Sequence, residues 1–242
     1  MHLTHALLLV YRQLDVKLHL GGWQRRRFQH AASDLEIADA LESFRGFPDL
    51  VAQLTDGAAG VEYEIVHVDR ALTSLTQETP TRCWPSPADT RAEIDRFAPA
   101  DEFDSVFVLW PQRESSTGSH VPCDAWGLAL PATAASNGAT YAAITTAPGS
   151  AWRGEARGEV WLHEWLHGVC GGYARQGHTM PAHDADGAEL HGYTRSPTVG
   201  WTDYYRALMT GNVLESGARV GIPITAWESS YAWRNPKPRA TA

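Results

Sequence analysis

Five residues, His163-Glu164-Trp165-Leu166-His167, constrain this chain more than any other stretch. In an α-helix, positions i and i+4 lie one above the other on one face, so both imidazoles can reach a single cation. Neutral imidazole is a good zinc ligand, and two helical histidines supply half of a tetrahedral shell. Glu164 neighbours the first of them and can take a proton from a metal-activated water. Leu162, Leu166 and Val169 follow an i, i+4, i+7 spacing that would bury the opposite face of the same helix. The chain holds 11 histidines, so the competing explanation is a chance match: two core histidines and a surface glutamate. The apolar stripe favours an anchored helix and a metal site.

Composition narrows the partners. The net charge is −8 and no long basic stripe exists, which argues against nucleic acid. Arg25-Arg26-Arg27 is a short basic run that reads as a solvated turn. No apolar run reaches transmembrane length. Ala6 to Tyr11 is too short for a signal peptide and lacks a basic leader, so it reads as a first strand; secretion fits only if a leader has been trimmed. Compartment and oligomeric state stay open. Three cysteines give no disulfide framework. Cys83 and Cys123, both in Pro-flanked loop-like stretches, could pair outside the cell. Cys170 reads as a small buried side chain. At 242 residues and 43% apolar, the chain can bury a substantial core.

Along the chain, strands and helices alternate in the first half, and the site is carried by the second. Ala6 to Leu18 reads as a strand. Ser33-Asp34-Leu35-Glu36 is a capping box that opens a helix to about Leu54, interrupted near Gly46 and Pro48. Val61 to Val68 alternates as a second strand. Pro80 to Pro87 is loop, Ala88 to Phe97 a short helix, and Asp104 to Trp110 a buried central strand. A polar loop runs from Pro111 to Pro122. Gly127 to Pro131 and Thr140 to Thr146 are short strands around the turn Ser136-Asn137-Gly138. The histidine helix spans about Arg153 to Cys170, and Gly171-Gly172 would end it. A segment rich in Gly, His and Asp follows, then a helix from Trp201 to Leu208. The expected organisation is one domain over 1–242, with a sheet part to about 150, a metal-site part over about 151–233 and a frayed tail at 234–242.

Two histidines are not a site. A catalytic zinc takes three protein ligands and leaves a position for water. The third must come from beyond Gly172, where His178, His183, Asp184, Asp186, Glu189 and His191 are the candidates. Asp184-Ala185-Asp186-Gly187-Ala188-Glu189 is also a fragment of a calcium loop, although a solvated acidic turn is the plainer reading.

From the Thr140 strand to Met209 the chain resembles the zincin metallopeptidases, and within them the metzincin clan. Those proteins have HExxH, a glycine that turns the chain, a third His or Asp, and later a methionine-containing turn. His163, Glu164 and His167 match the first element, Gly171 or Gly172 the turning glycine, and Met209 in Leu208-Met209-Thr210-Gly211 the methionine turn. The compact spacing HExxHxxGxxH is not kept, because it would put glycine at Cys170 and histidine at Tyr173. An insertion must therefore precede the third ligand. His191 is the first choice, with His183, Asp184 and Asp186 as alternatives and Glu189 as the gluzincin-like one.

The resemblance implies an α/β (α+β) zincin-like domain: a twisted mixed sheet, a backing helix from about Ser33, and the histidine helix beneath the sheet. It implies a zinc-dependent endopeptidase with Glu164 as general base and a peptide or protein as substrate. Tyr193, Tyr204 or Tyr205 would stabilise the oxyanion. The substrate would lie along a sheet edge, expected near Gly138-Ala139-Thr140-Tyr141. Trp161 and Trp165 are expected to pack the helix into the domain. The alternative class is a metal-binding protein that is not a peptidase, or an inactive binding domain of the same fold.

Overall fold

The computed structural model of the chain describes residues 2–20, 25–125, 127–146 and 156–227. Its elements are β1 (His2–Tyr11), β2 (Gln13–His19), β3 (Arg25–Ala31), α1 (Asp34–Leu54), β4 (Ala59–Val68), β5 (Thr76–Thr79), β6 (Arg82–Trp84) and α2 (Arg91–Phe97), followed by β7 (Ser105–Trp110), β8 (Arg113–Glu114), β9 (Ser119–His120), β10 (Gly127–Leu130) and β11 (Thr140–Thr145). Then come α3 (Glu159–Arg175), α4 (Thr202–Met209), β12 (Val213–Glu215) and β13 (Ala218–Val220). The fold is mixed α/β, as expected.

Five strands form the main sheet in the order β10-β11-β7-β1-β4. β1 is parallel to β4 and β7, and β11 is parallel to β7. β10 alone runs antiparallel, against β11. Side chains alternate across a strand, so each central strand feeds two cores. Leu8, Phe107 and Ile144 join Phe44 and Phe47 of α1 and Trp161 and Trp165 of α3 on one face. Leu7, Val108 and Tyr141 join Leu14, Val16 and Phe28 of the β2–β3 hairpin on the other. β7 is buried at every position, which is why it lacks the alternating polarity of a one-sided strand. No helix among the described residues is long and apolar enough to cross a membrane.

Several boundaries differ from expectation. Ala6 to Leu18 is two strands, and β2 folds back on β3 as a hairpin. The Arg25–Arg27 run is therefore the start of a strand, not a turn. Arg27 is tied to Asp15 across the hairpin, 2.6 Å from Nε to Oδ1, and Arg26 lies over the Phe28 ring. The 80–87 stretch contains β6, paired with β5, and the 111–122 stretch contains the small β8–β9 hairpin. Ser33 caps α1 as predicted, with Glu36 reaching back to the Ser33 amide at 2.8 Å. The helix is not interrupted, however, and Pro48 lies inside it. Proline costs a helix one hydrogen bond. Here a buried face of Phe44, Phe47, Leu50, Val51 and Leu54 carries the helix past it. Gly46 serves close approach: a Cβ there would stand 2.6 Å from Cβ of Arg157.

The largest correction concerns Gly171 and Gly172. They do not end the histidine helix, which runs on to Arg175. The glycines of α3 let it press against the sheet. A Cβ on Gly168 would lie 2.8 Å from Cβ of Thr140, and one on Gly171 would lie 3.3 Å from Cβ of Pro131. The helix also starts later than expected, at Glu159 behind Gly158 with its φ of 89°, while Arg153 itself and the expected frayed tail lie outside the described residues.

Candidate metal centre

Helix α3 is fixed by its apolar face. Leu162, Leu166 and Val169 are fully buried. The Trp161 ring meets Phe44 edge-on at 4.9 Å, and Trp165 Nε1 donates to Ser105 Oγ at 3.0 Å. Both tryptophans are packing residues, as expected. The opposite face carries His163, Glu164 and His167 into a cleft of about 930 Å³ that is bounded by β10.

The two imidazoles converge. His163 Nε2 and His167 Nε2 stand 3.3 Å apart. The Asp186 carboxylate lies 3.3 Å from His163 Nε2 and 3.7 Å from His167 Nε2. One donor atom from each of the three falls within 4.8 Å of the others. The outer ring nitrogens are engaged elsewhere. His163 Nδ1 is 2.9 Å from the Tyr205 hydroxyl, and His167 Nδ1 contacts Asp184 Oδ1. An ionised carboxylate only accepts, so in neutral His167 the proton sits on Nδ1 beside Asp184 and the Nε2 lone pair faces the shared point. A nitrogen–nitrogen–carboxylate set of this kind suits zinc. The residues present therefore fit such an ion.

Asp184 and Asp186 reach the helix from a tight 3-10 turn, Asp184–Asp186, entered through positive φ at His183 (64°) and Asp184 (34°). Asn, Asp and His tolerate that region better than most residues. The turn is held from behind. Tyr204 donates its hydroxyl to the Asp184 carbonyl, and the Ala182 amide donates to Glu215 Oε1 at 2.9 Å. Gly187 has no room for a side chain, since a Cβ there would meet the Ala182 carbonyl oxygen at 2.5 Å and the Tyr204 hydroxyl at 2.7 Å.

Glu164 is buried, with Oε1 at 4.0 Å from His163 Nε2. Burial pushes its pKa up, the two histidines pull it partly back, and Asp186 pushes it up again, leaving it above the usual carboxylate range. For His167, burial works against the charged form, but the hydrogen bond and charge of Asp184 outweigh it and raise the pKa. The hydrogen bond from His163 leads in holding Asp186 below its ordinary value.

The other expected site residues are elsewhere. His191, the first choice for third ligand, is turned away from the histidine pair. Its ring stacks on Tyr204 at 6.2 Å, and its Nε2 is 3.4 Å from the Ala182 carbonyl and 3.7 Å from Glu215. His183 and Glu189 are exposed, and His178 packs edge-on against Tyr173. Asp186, one of the stated alternatives, is the residue brought to the pair. The calcium-loop fragment is divided accordingly: Asp184 and Asp186 face the histidines, while Glu189 is exposed and outside the group. Met209 closes α4 instead of standing in a turn. It is fully buried, and its carbonyl accepts from Trp227 Nε1 at 2.7 Å. Of the three tyrosines, only Tyr205 lines the cleft, and its hydroxyl is engaged with His163. Tyr193 packs on the Tyr204 ring at 5.2 Å. Cys170 is buried, as expected. Cys83 and Cys123 are free thiols. Their segments pair with Arg82 opposite Cys123 and the Cys83 amide on the Pro122 carbonyl at 2.9 Å.

The expected sheet edge is also displaced. β11 lies inside the sheet, and β10 is the edge strand beside the cleft. Gly127, at the start of β10, is a site residue the sequence reading missed. It sits against Glu164, and a lone glycine in a strand is a weak signal. The Asp184-x-Asp186-Gly187 pattern was the better signal for the turn: two carboxylates close together next to a glycine. Compared with known proteins, the chain matches no family model and no curated protein.

Proposed function

We propose that this chain is a zinc-dependent metallopeptidase of zincin type, with His163, His167 and Asp186 as metal ligands and Glu164 as general base. The observation that carries this reading is the convergence of two helical imidazoles and one carboxylate beside a buried glutamate, at the wall of an open cleft. Zinc, when bound, supplies Lewis acidity, acidifying water and polarising a carbonyl.

The chain's own residues divide the remaining work. Glu164 takes a proton from the attacking water and can return it to the leaving amine. Burial raises its affinity for protons, which suits a group that takes a proton and hands it on. Among the described residues, the antiparallel edge strand β10 has no further strand beside it on the cleft side. An extended peptide pairing with it gains affinity from main-chain hydrogen bonds and presents its carbonyl to the helix below. Zincin character rests on this arrangement and on the HExxH resemblance, with an aspartate in place of the expected histidine.

The test combines metal content with cleavage. The zinc-loaded chain is expected to carry about one zinc per molecule, as a three-ligand site implies. It is expected to cut members of a broad peptide library and to lose both properties on chelation. His163→Ala and Asp186→Ala should lose the metal. Zinc-loaded protein that leaves the whole library uncut overturns the peptidase reading and turns the site over to the non-peptidase alternative. A wild-type chain that takes up no zinc overturns the metal reading as well.

A further inference from the structure

The ring nitrogens that face away from the shared donor point are held by chemically different groups. His167 Nδ1 meets a carboxylate, Asp184, and His163 Nδ1 meets a neutral hydroxyl, Tyr205, at 2.9 Å. We infer that Asp184 and Tyr205 are positioning residues that do not touch the metal: Asp184 sets the tautomer and donor strength of His167, and Tyr205 sets the orientation of His163. The inference rests on the metal reading above and deepens it.

The geometry separates the two aspartates of one short turn. Asp186 lies on the Nε2 side of both rings, at 3.3 and 3.7 Å. Asp184 lies across the His167 ring, on Nδ1, where it cannot share a cation with His167 Nε2. A carboxylate on the outer nitrogen fixes the proton there and increases the basicity of the inner one. A hydroxyl on the outer nitrogen fixes orientation but adds no charge. His167 is therefore the stronger donor of the pair, and Asp184 matters more to affinity than Tyr205.

Helix α4 gives this arrangement its rigidity. Tyr204 and Tyr205 are consecutive, so they leave the helix in different directions. Tyr204 bonds the Asp184 carbonyl and Tyr205 bonds His163. One short helix thus braces both the aspartate turn and the first histidine. Both hydroxyls belong to fully buried side chains, which removes their freedom to swing away.

The test is metal affinity and ligand-field geometry, not turnover. Zn²⁺ affinity is measured by competition with a chromophoric chelator for wild type, Asp184→Asn and Tyr205→Phe, and the Co²⁺ absorption spectrum is recorded for each. Asparagine suits the positive φ at residue 184 and phenylalanine keeps the Tyr205 ring, so both variants should melt close to wild type. Losing such a partner typically weakens metal binding about 10–100-fold. The Asp184→Asn loss is expected to be the larger, with a shifted Co²⁺ spectrum in each variant. Wild-type zinc affinity and an unshifted spectrum in both folded variants would overturn the positioning role alone. A larger loss for Tyr205→Phe than for Asp184→Asn would overturn the assignment of His167 as the stronger donor. Failure of the wild type to bind Zn²⁺ or Co²⁺ would overturn the metal reading and this inference with it.

Discussion

The carboxyl group of Glu164 fills the space that a side chain on Gly127 would need: a Cβ there would lie 2.4 Å from Glu164 Cδ. The edge strand thus crosses directly over the proposed base, and any side chain at position 127 would have to push the Glu164 carboxyl group aside. Gly127→Ala is expected to displace the carboxyl group while leaving the histidines in place. General-base catalysis contributes about 10²–10⁴-fold, and partial displacement should forfeit at least the lower end of that range. Zinc content should stay at the wild-type level. Overpacking of this kind costs roughly 1–3 kcal/mol, read as a lower melting temperature. Unchanged turnover in a folded, zinc-replete variant would show that Glu164 does not need this pocket.

Glu164→Gln removes the base and keeps its size. Glutamine neither takes nor returns the proton, so peptide cleavage should fall by about 10²–10⁴-fold with zinc bound as before. Single-turnover assays on zinc-loaded protein measure the loss directly. Cleavage near the wild-type rate would remove Glu164 from the mechanism.

His191 and Asp186 make opposite predictions under the same assay. His191→Ala should keep its zinc, because the ring packs on Tyr204 and faces Ala182 and Glu215. Its cost is lost packing behind the turn, about 1–2 kcal/mol in a denaturant titration. Asp186→Ala should lose the metal with little change in stability, since the Asp186 side chain is largely exposed. The reverse pattern would restore histidine as third ligand.

The residues that announced themselves in the sequence were those whose neighbours in space are also neighbours in the chain. His163, Glu164 and His167 lie within one turn of helix and were legible from spacing, as were the capping box at Ser33 and the buried run of β7. The proposed third ligand was not legible, because its place depends on how a turn bends. His191 and Asp186 are five residues apart, and the left-handed backbone at His183 and Asp184 decides which one faces the helix. Gly171-Gly172 misled for a related reason. Glycine ends helices, but it also lets helices approach neighbours, and only the presence of Pro131 opposite Gly171 distinguishes the two uses. The edge strand was misplaced because two short strands of similar composition flank one turn, and pairing with β7 selects the inner one.

The last prediction concerns acid stability and lies on the face of the sheet opposite α3. Glu93 is buried beside Tyr11, whose hydroxyl donates to it at 2.6 Å, and Arg70, whose Nε donates at 2.6 Å. Burial alone would raise the Glu93 pKa, but the hydrogen bonds from Arg70 and Tyr11 outweigh it and hold the group below the usual carboxylate range. As pH falls, the unfolded chain therefore takes up this proton before the folded chain does. Stability from Glu93 is fully present above the unfolded value, about 4.3, and is lost as pH drops through the lower folded value. Arg70 is partly exposed, so solvent screens its share. Glu93→Gln should lower stability at pH 7 by roughly 1–3 kcal/mol, the cost of an under-satisfied buried partner. It should also flatten the fall in stability between about pH 5 and pH 3 relative to wild type. Urea midpoints measured across that range for both proteins provide the test. Parallel pH profiles would mean that Glu93 does not titrate differently on folding, and that other carboxylates carry the acid sensitivity of the fold.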